Sequence, residues 1–259
     1  MVSQGSSAMR PKLLILAGTT EAAALARTAA AMGIAGTVSY AGRIETPQAL
    51  PLPVRIGGFG GAEGLAAFLR AEAISHVIDA THPFAAQMSA NALAACTAAG
   101  VPLLALTRPA WAPGQGDRWT RVTGIAGAVA ALDRPAARVF LAIGRQNLAP
   151  FAARPQHHYL LRLVDPPAGP LPLPGATVVV DRGPFDAAAD RALMARHRVE
   201  VVVSKNAGGS GARAKIDAAR DLGLPVVMID RPVLPPRVEV HEVAAVFDWL
   251  ARHGADLGV

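Results

Sequence analysis

The 259-residue sequence predicts an α/β protein made of two related Rossmann-like halves, each with a parallel sheet, facing a central cleft. Three observations carry that expectation. Short apolar, β-branched runs alternate with helix-length stretches along the chain, the pattern of strands buried on both faces. Residues 76–109 and 199–232 align without a gap at an offset of 123: each reads as strand, polar loop, Ala-rich helix, Gly-x-Pro turn and second strand. Gly100/Gly223, Pro102/Pro225, Arg108/Arg231 and Pro109/Pro232 fall in register within that echo. A second echo joins KLLILAGTTEA, from Lys12, to RVFLAIGRQNLA, from Arg138, because both place a glycine and polar residues directly after an apolar strand.

The elements follow in order. Continuous apolar runs predict strands at 13–17, 36–40, 54–56, 76–80 and 102–106, and the Ala- and Leu-rich stretches between them predict helices at 21–32, 62–73 and 84–99. TRPAWAPGQGD, residues 107–117, is rich in Pro and Gly and reads as a linker. The second half has strands at 139–143, 159–163, 177–180, 199–204 and 225–229, with helices at 185–197 and 211–222. The Pro-rich stretch 165–175 cannot be helix interior and reads as an exposed connection. A closing helix places Val243, Val246, Phe247 and Leu250 at i, i+3, i+4 and i+7 on one face. The domains expected are therefore 11–110 and 118–255, with 1–10 a disordered tail.

Composition narrows the function. Hydrophobic residues make up 52% of the chain, ample for two cores, and the formal charge is +6. Of the 25 basic residues only Lys12, Lys205 and Lys215 are lysines, and the arginines are scattered with no aromatic-interleaved run, which argues against nucleic acid and for an anionic small molecule. Cys96 is the single cysteine, so no intrachain disulfide forms and a reducing cytoplasm is the expected compartment. Residues 1–10 lack the apolar core of a signal peptide and no run of eighteen apolar residues exists, so neither export nor a membrane partner is expected. His157 and His158 are neighbours on a predicted strand and point to opposite faces, so no metal site is expected there. The GxxxxGK[ST] loop, the GxSxG elbow, the HExxH helix and the Tyr-x-x-x-Lys pair are all missing.

Chemistry should lie beyond the carboxyl ends of the strands, where helix N-termini present unsatisfied N–H groups to anions. Gly18, Thr19, Thr20 and Glu21 form the first such loop and are the candidate cradle for a cofactor pyrophosphate. After the second strand an NAD-binding fold usually supplies a carboxylate for the ribose; here Ser39, Tyr40 and Arg43 occupy that region, and a hydroxyl with a guanidinium suits a 2′-phosphate, pointing to NADP, with Glu45 close enough to serve a ribose instead. Thr81 and His82 end the fourth strand, with Pro83 set to open a helix. Their counterparts in the echo are Ser204, Lys205 and Asn206, followed by Ala207, Gly208, Gly209, Ser210 and Gly211, a glycine-rich anion cradle beside a rare lysine. Arg145 follows the strand at 139–143.

Taken together, LILAGTTEA, DATHPFA, RPAW, VSKNAGGSGARAKIDAA and LPVVMIDRP resemble the precorrin-6A reductases of cobalamin biosynthesis, over about residues 12–235. The resemblance implies NADPH in a cleft between two Rossmann-like halves and reduction of a macrocyclic double bond of precorrin-6A to give precorrin-6B. Ala17 and Ala22 depart from glycines often found in the family's first loop, and Ala207 stands where a serine is frequent. An anionic tetrapyrrole would be held through its carboxylates by Arg145, Lys205, Asn206, Gly208 and Gly209, and the proton could come from His82, Lys205 or solvent, among which the sequence does not choose. Two other classes share the first loop. An S-adenosylmethionine methyltransferase would favour an acidic residue after the second strand, and a non-catalytic NADP sensor would need no second anion site.

Overall fold

A computed structural model describes residues 10–41, 49–167, 169–181, 183 and 185–257. The chain forms two compact units, one comprising the residues up to Arg108 together with those from Val233 onward, the other Pro109–Pro232. The first unit contains β1 (Lys12–Leu16), α1 (Thr20–Ala31), β2 (Ala35–Tyr40), β3 (Val54–Ile56), α2 (Gly61–Ala71), β4 (His76–Asp79), α3 (Ala86–Ala99) and β5 (Leu103–Leu106). The second contains β6 (Arg118–Thr123), α4 (Gly124–Ala131), β7 (Arg138–Ala142), β8 (His158–Leu163), β9 (Thr177–Val180), α5 (Ala187–Arg196), β10 (Val201–Lys205), α6 (Ala214–Asp221) and β11 (Pro225–Asp230). The chain then returns to the first unit for β12 (Glu239–Val240) and α7 (Val243–Arg252).

Both sheets are wholly parallel and share one strand order. The first runs β12-β5-β4-β1-β2-β3 and the second β6-β11-β10-β7-β8-β9, so the strands of the two echoes occupy matching places. The sixth position is exchanged between the units: β6, which follows the first unit's β5, pairs with β11 of the second sheet, while β12, which follows β11, pairs with β5 of the first. For this reason α7 is not part of the second domain that its place in the sequence suggests. Its Val246, Phe247, Trp249 and Leu250 are buried on the first sheet, each contributing roughly 1.5–3 kcal/mol by removal from water.

Strand periodicity divides the first core. Leu13 and Ile15 of β1 pack with α1 and α7 on one face, while Leu14 and Leu16 pack with α2 and α3 on the other. In the second unit Phe140, Leu160, Val202 and Met228 pack against Met194 of α5 and Ile216 and Ala219 of α6. Gly100 and Gly223 end α3 and α6 with φ of 67° and 65°, the left-handed turn that returns the chain to the sheet, and this is the physical content of their shared register. The second echo breaks after its strand: β1 leads into a twelve-residue helix, whereas β7 leads only into two 3₁₀ turns, Arg145–Asn147 and Ala149–Ala153.

Candidate functional site

In the first sheet the strand order reverses direction between β1 and β4, and the loops that leave their carboxyl ends meet there. Gly18 lies so close to the β4 loop that a Cβ on it would come within 3.2 Å of the His82 backbone nitrogen and 3.6 Å of Thr81 Cα. A side chain here would press on the His82 amide and oblige one of the two loops to give by a few tenths of an ångström. Thr19 caps α1 by accepting from the Ala22 amide at 3.2 Å and donates its own hydroxyl to the Ala80 carbonyl at 2.9 Å, tying the two loops together.

A cavity of about 350 Å³ opens beside this junction, lined by Ala17, Gly18, Tyr40, Thr81, His82 and Met88 among others, with the start of α3 at its rim. Ala85, the residue before α3, makes no side-chain cap. A small adjoining recess is walled by Ser39, Gly57, Gly58 and Phe59. The predicted residues Gly18, Tyr40, Thr81 and His82 are thus brought to one cavity, and Ser39 to its neighbour; Arg43 lies outside the described residues. Burial pushes the Tyr40 hydroxyl above its ordinary pKa, a shift that the charge of Arg27 only partly opposes, so the group at the cavity wall stays neutral.

Two predicted cofactor contacts are engaged within the protein. Glu21 is paired with Arg108, whose Nη2 lies at 2.6 Å and whose Nε donates at 2.8 Å, while another Arg108 N–H reaches the Thr20 hydroxyl at 3.0 Å. Burial would raise the Glu21 pKa, but the hydrogen bonds and charge of Arg108 win and hold it below the usual value. His82 Nδ1 accepts the Phe84 amide at 3.2 Å, so this nitrogen shapes the turn into α3.

Three residues that sequence reasoning passed over complete the site. Asp79, at the end of β4, is buried and accepts from the Thr81 amide and hydroxyl, the Ser89 hydroxyl and Arg237. Arg237 comes from the segment leading to β12, 158 residues away in sequence. Arg55, opposite Ser39 in the β2–β3 register, lays its guanidinium 3.9 Å from the centre of the Phe59 ring and donates to the Gly57 and Gly58 carbonyls and to Ser39 Oγ. No carboxylate pairs with it among the described residues. The aspartate stands within the DATHPFA motif, but nothing in a linear sequence signals its distant arginine.

The corresponding edge of the second sheet carries the other predicted residues. Ser204 pairs in register with Ala142, so Lys205 stands beside Ile143, two residues before the exposed Arg145. Asn206 has a different partner from the one expected: its carboxamide accepts from Trp111 N–H at 2.8 Å and donates to Trp111 C=O at 2.9 Å, a two-point clamp on the linker. The Trp111 indole in turn donates to the Gly209 carbonyl at 2.7 Å. Gly208 and Gly209 take φ of 71° and 67°, which folds the loop back under Trp111. Arg231 donates to the carbonyls of Asn206 and Ala207. Of the predicted substrate contacts, the side chains of Lys205 and Arg145 are therefore the ones whose chemistry suits carboxylates.

The comparisons with known proteins decide the family. The family model described as Precorrin-6x reductase CbiJ/CobK matches residues 12–251. The chain belongs to the precorrin-6A reductase family. A precorrin-6A reductase of Rhodobacter capsulatus is 59% identical across 94% of this chain and 97% of its own length, and one of Rhodococcus erythropolis is 46% identical across 92% and 97%. A cobalt-precorrin-6A reductase of Salmonella typhimurium is 31% identical across 92% and 97%. The solved structure of a CobK precorrin-6A reductase superimposes with a TM-score of 0.92 at 58% identity, covering 96% of this chain and all of that one. Membership makes this chain an oxidoreductase of cobalamin biosynthesis and sets aside the methyltransferase and sensor alternatives. No helix among the described residues of this family member is long and apolar enough to cross a membrane.

Proposed function

We propose that this protein reduces a carbon–carbon double bond of metal-free precorrin-6A with NADPH, giving precorrin-6B. The observation that carries the cofactor half of this reading is the close approach of Gly18 to the β4 loop beside a cavity at the strand-order reversal, where a Cβ at position 18 would press on the His82 amide. The substrate half rests on kinship. Five relatives named precorrin-6A reductase are 42–59% identical, against 29–32% for those named cobalt-precorrin-6A reductase, which favours the metal-free macrocycle.

NADPH, when bound, supplies a hydride, and a proton completes the addition across the double bond. The chain's own residues bind and orient. The Gly18 loop and the start of α1 offer backbone N–H groups to the pyrophosphate, and Arg55, hydrogen-bonded to Ser39, offers a guanidinium to the 2′-phosphate. Among the described residues the half-buried Arg55 donates to backbone carbonyls and a hydroxyl and pairs with no carboxylate, so its charge is suited to a phosphate. Lys205 and Arg145 hold substrate carboxylates by charge-assisted hydrogen bonds.

Two measurements test the reading. Purified protein mixed with NADPH and precorrin-6A should consume the nicotinamide absorbance stoichiometrically with the substrate, and faster than with cobalt-precorrin-6A; no consumption, or a preference for the cobalt form, would refute it. Arg55→Ala should weaken NADPH far more than NADH, by about 1.5–3 kcal/mol or roughly 10- to 100-fold. Equal losses for the two cofactors would remove Arg55 from phosphate recognition.

A further inference from the structure

We propose that Arg237, carried into the first unit by the exchanged segment, is a positioning residue for the Thr81 turn, so that cofactor binding and docking of β12 are energetically linked. The inference rests on the reading of the Gly18–Thr81 cavity as the cofactor site.

Asp79 stands at the carboxyl end of β4 with a side chain 2% exposed, and Arg237 meets it at 2.7 Å with a side chain 8% exposed. Around the same carboxylate converge the Thr81 amide at 3.1 Å, the Thr81 hydroxyl at 2.7 Å and the Ser89 hydroxyl at 2.6 Å. Thr81 lies between this network and the cavity: its hydroxyl faces Asp79, and its backbone is the wall against which Gly18 closes. The geometry of that wall therefore depends on the orientation of the Asp79 carboxylate, and in a dry setting a buried carboxylate is held there by its paired cation. Arg237 is that cation, anchored on its other side by Glu239 of β12 at 2.9 Å. Docking of the same segment is reported by two amides, Ala105 of β5 to the Val238 carbonyl and Thr107 just beyond β5 to the Val240 carbonyl, each at 3.0 Å.

Linkage requires reciprocity. If docking of residues 237–240 sets the Thr81 turn in its binding geometry, a ligand that selects this geometry must strengthen the docking by the same factor. NADPH should therefore slow hydrogen exchange at the Ala105 and Thr107 amides even though both lie on the far side of β4 from β1.

The test uses the full-length protein and reads the NADPH dissociation constant by fluorescence titration, amide exchange at Ala105 and Thr107, and the melting temperature. Arg237→Gln should weaken NADPH tenfold or more and abolish the NADPH-dependent slowing, while Arg237→Lys restores part of both. Because Arg237→Gln leaves a buried carboxylate unpaired and can fail to fold, the paired change Asp79→Asn with Arg237→Gln removes both charges; it should recover melting temperature without recovering NADPH affinity. Unaltered NADPH affinity in Arg237→Gln, or in the paired variant, would reduce the ion pair to a stabilising contact and overturn the inference alone. So would NADPH binding to the unsubstituted protein without slower exchange at the two amides. Failure of the unsubstituted protein to bind NADPH would instead overturn the cofactor reading, and this inference with it.

Discussion

Lys215, one of three lysines in the chain, is 5% exposed, donates to the Ala212 carbonyl at 2.5 Å and lies 5.3 Å from the centre of the Trp111 ring. Burial, and secondarily the charge of Arg162, lower its pKa to about 8 despite the opposing pull of Asp190. A lysine whose folded pKa lies below its unfolded value binds fewer protons folded than unfolded between the two, so stability rises with pH from about 8 to 10.5. Lys215→Met should remove that rise and stabilise the protein at pH 7 by on the order of 3 kcal/mol, measured by denaturant unfolding across the window. A wild-type slope in the variant would place the effect elsewhere. His82 allows a sharper choice. Asn at that position keeps an acceptor for the Phe84 amide, so His82→Asn should retain most turnover if the ring serves the turn, whereas loss of turnover with unchanged NADPH affinity would make it the proton donor. Both cases show what the sequence could and could not disclose. The positions of Gly18, Thr81, His82 and Lys205 at strand ends are legible because strand periodicity fixes where each run stops. Their partners are not: Glu21 finds Arg108 and Asn206 finds Trp111 across 87 and 95 residues, and no local pattern encodes such pairings.

Among the elements, the repeat supplies its own control. Gly100 and Gly223 close α3 and α6 in the left-handed conformation, and at neither would an added methyl meet another atom within 4 Å. The cost of Gly100→Ala or Gly223→Ala is then backbone strain alone, about 1–2 kcal/mol in each case. Parallel falls in melting temperature are expected from the two variants, and a much larger fall from one would reveal packing that the geometry does not contain. Buried strands such as β1, β4, β7 and β10 are readable because both faces are apolar and their sequences run unbroken. The missed elements break that rule for physical reasons. β6, RWTRVT, is an edge strand whose residues are mostly exposed; α4 carries two glycines; β12 is two residues long and exists only because β5 offers it an edge. The helix expected over 211–222 starts at Ala214, since residues 207–213 are spent folding beneath Trp111.

On the scale of the whole molecule the exchange of sixth strands governs how the protein can be cut. Residues 109–232 contain every strand of the second sheet in one uninterrupted stretch, whereas the first sheet needs both ends of the chain. A fragment of residues 109–232 should fold alone and show cooperative unfolding. A fragment of 10–108 should not, because its β5 edge and the face that receives Val246, Phe247 and Leu250 are left bare; fusing 233–257 to its end through a short linker should restore folding. Cooperative melting of 10–108 by itself, followed by circular dichroism, would contradict this.

The same connectivity sets an order of events at the ribosome. Domains ordinarily mature from the N-terminus as they emerge, at about 5–20 residues per second. Here the earliest strands are synthesised first and completed last, since Leu106 must wait for Val240 before its neighbour's edge is filled. For roughly 7–27 seconds at that pace, the apolar strands of the first unit wait uncovered for the segment that completes their sheet while the later sheet assembles. The nascent chain is thus a natural client for a holdase that recognises exposed aliphatic surface, and translation speed through residues 107–240 becomes a determinant of yield.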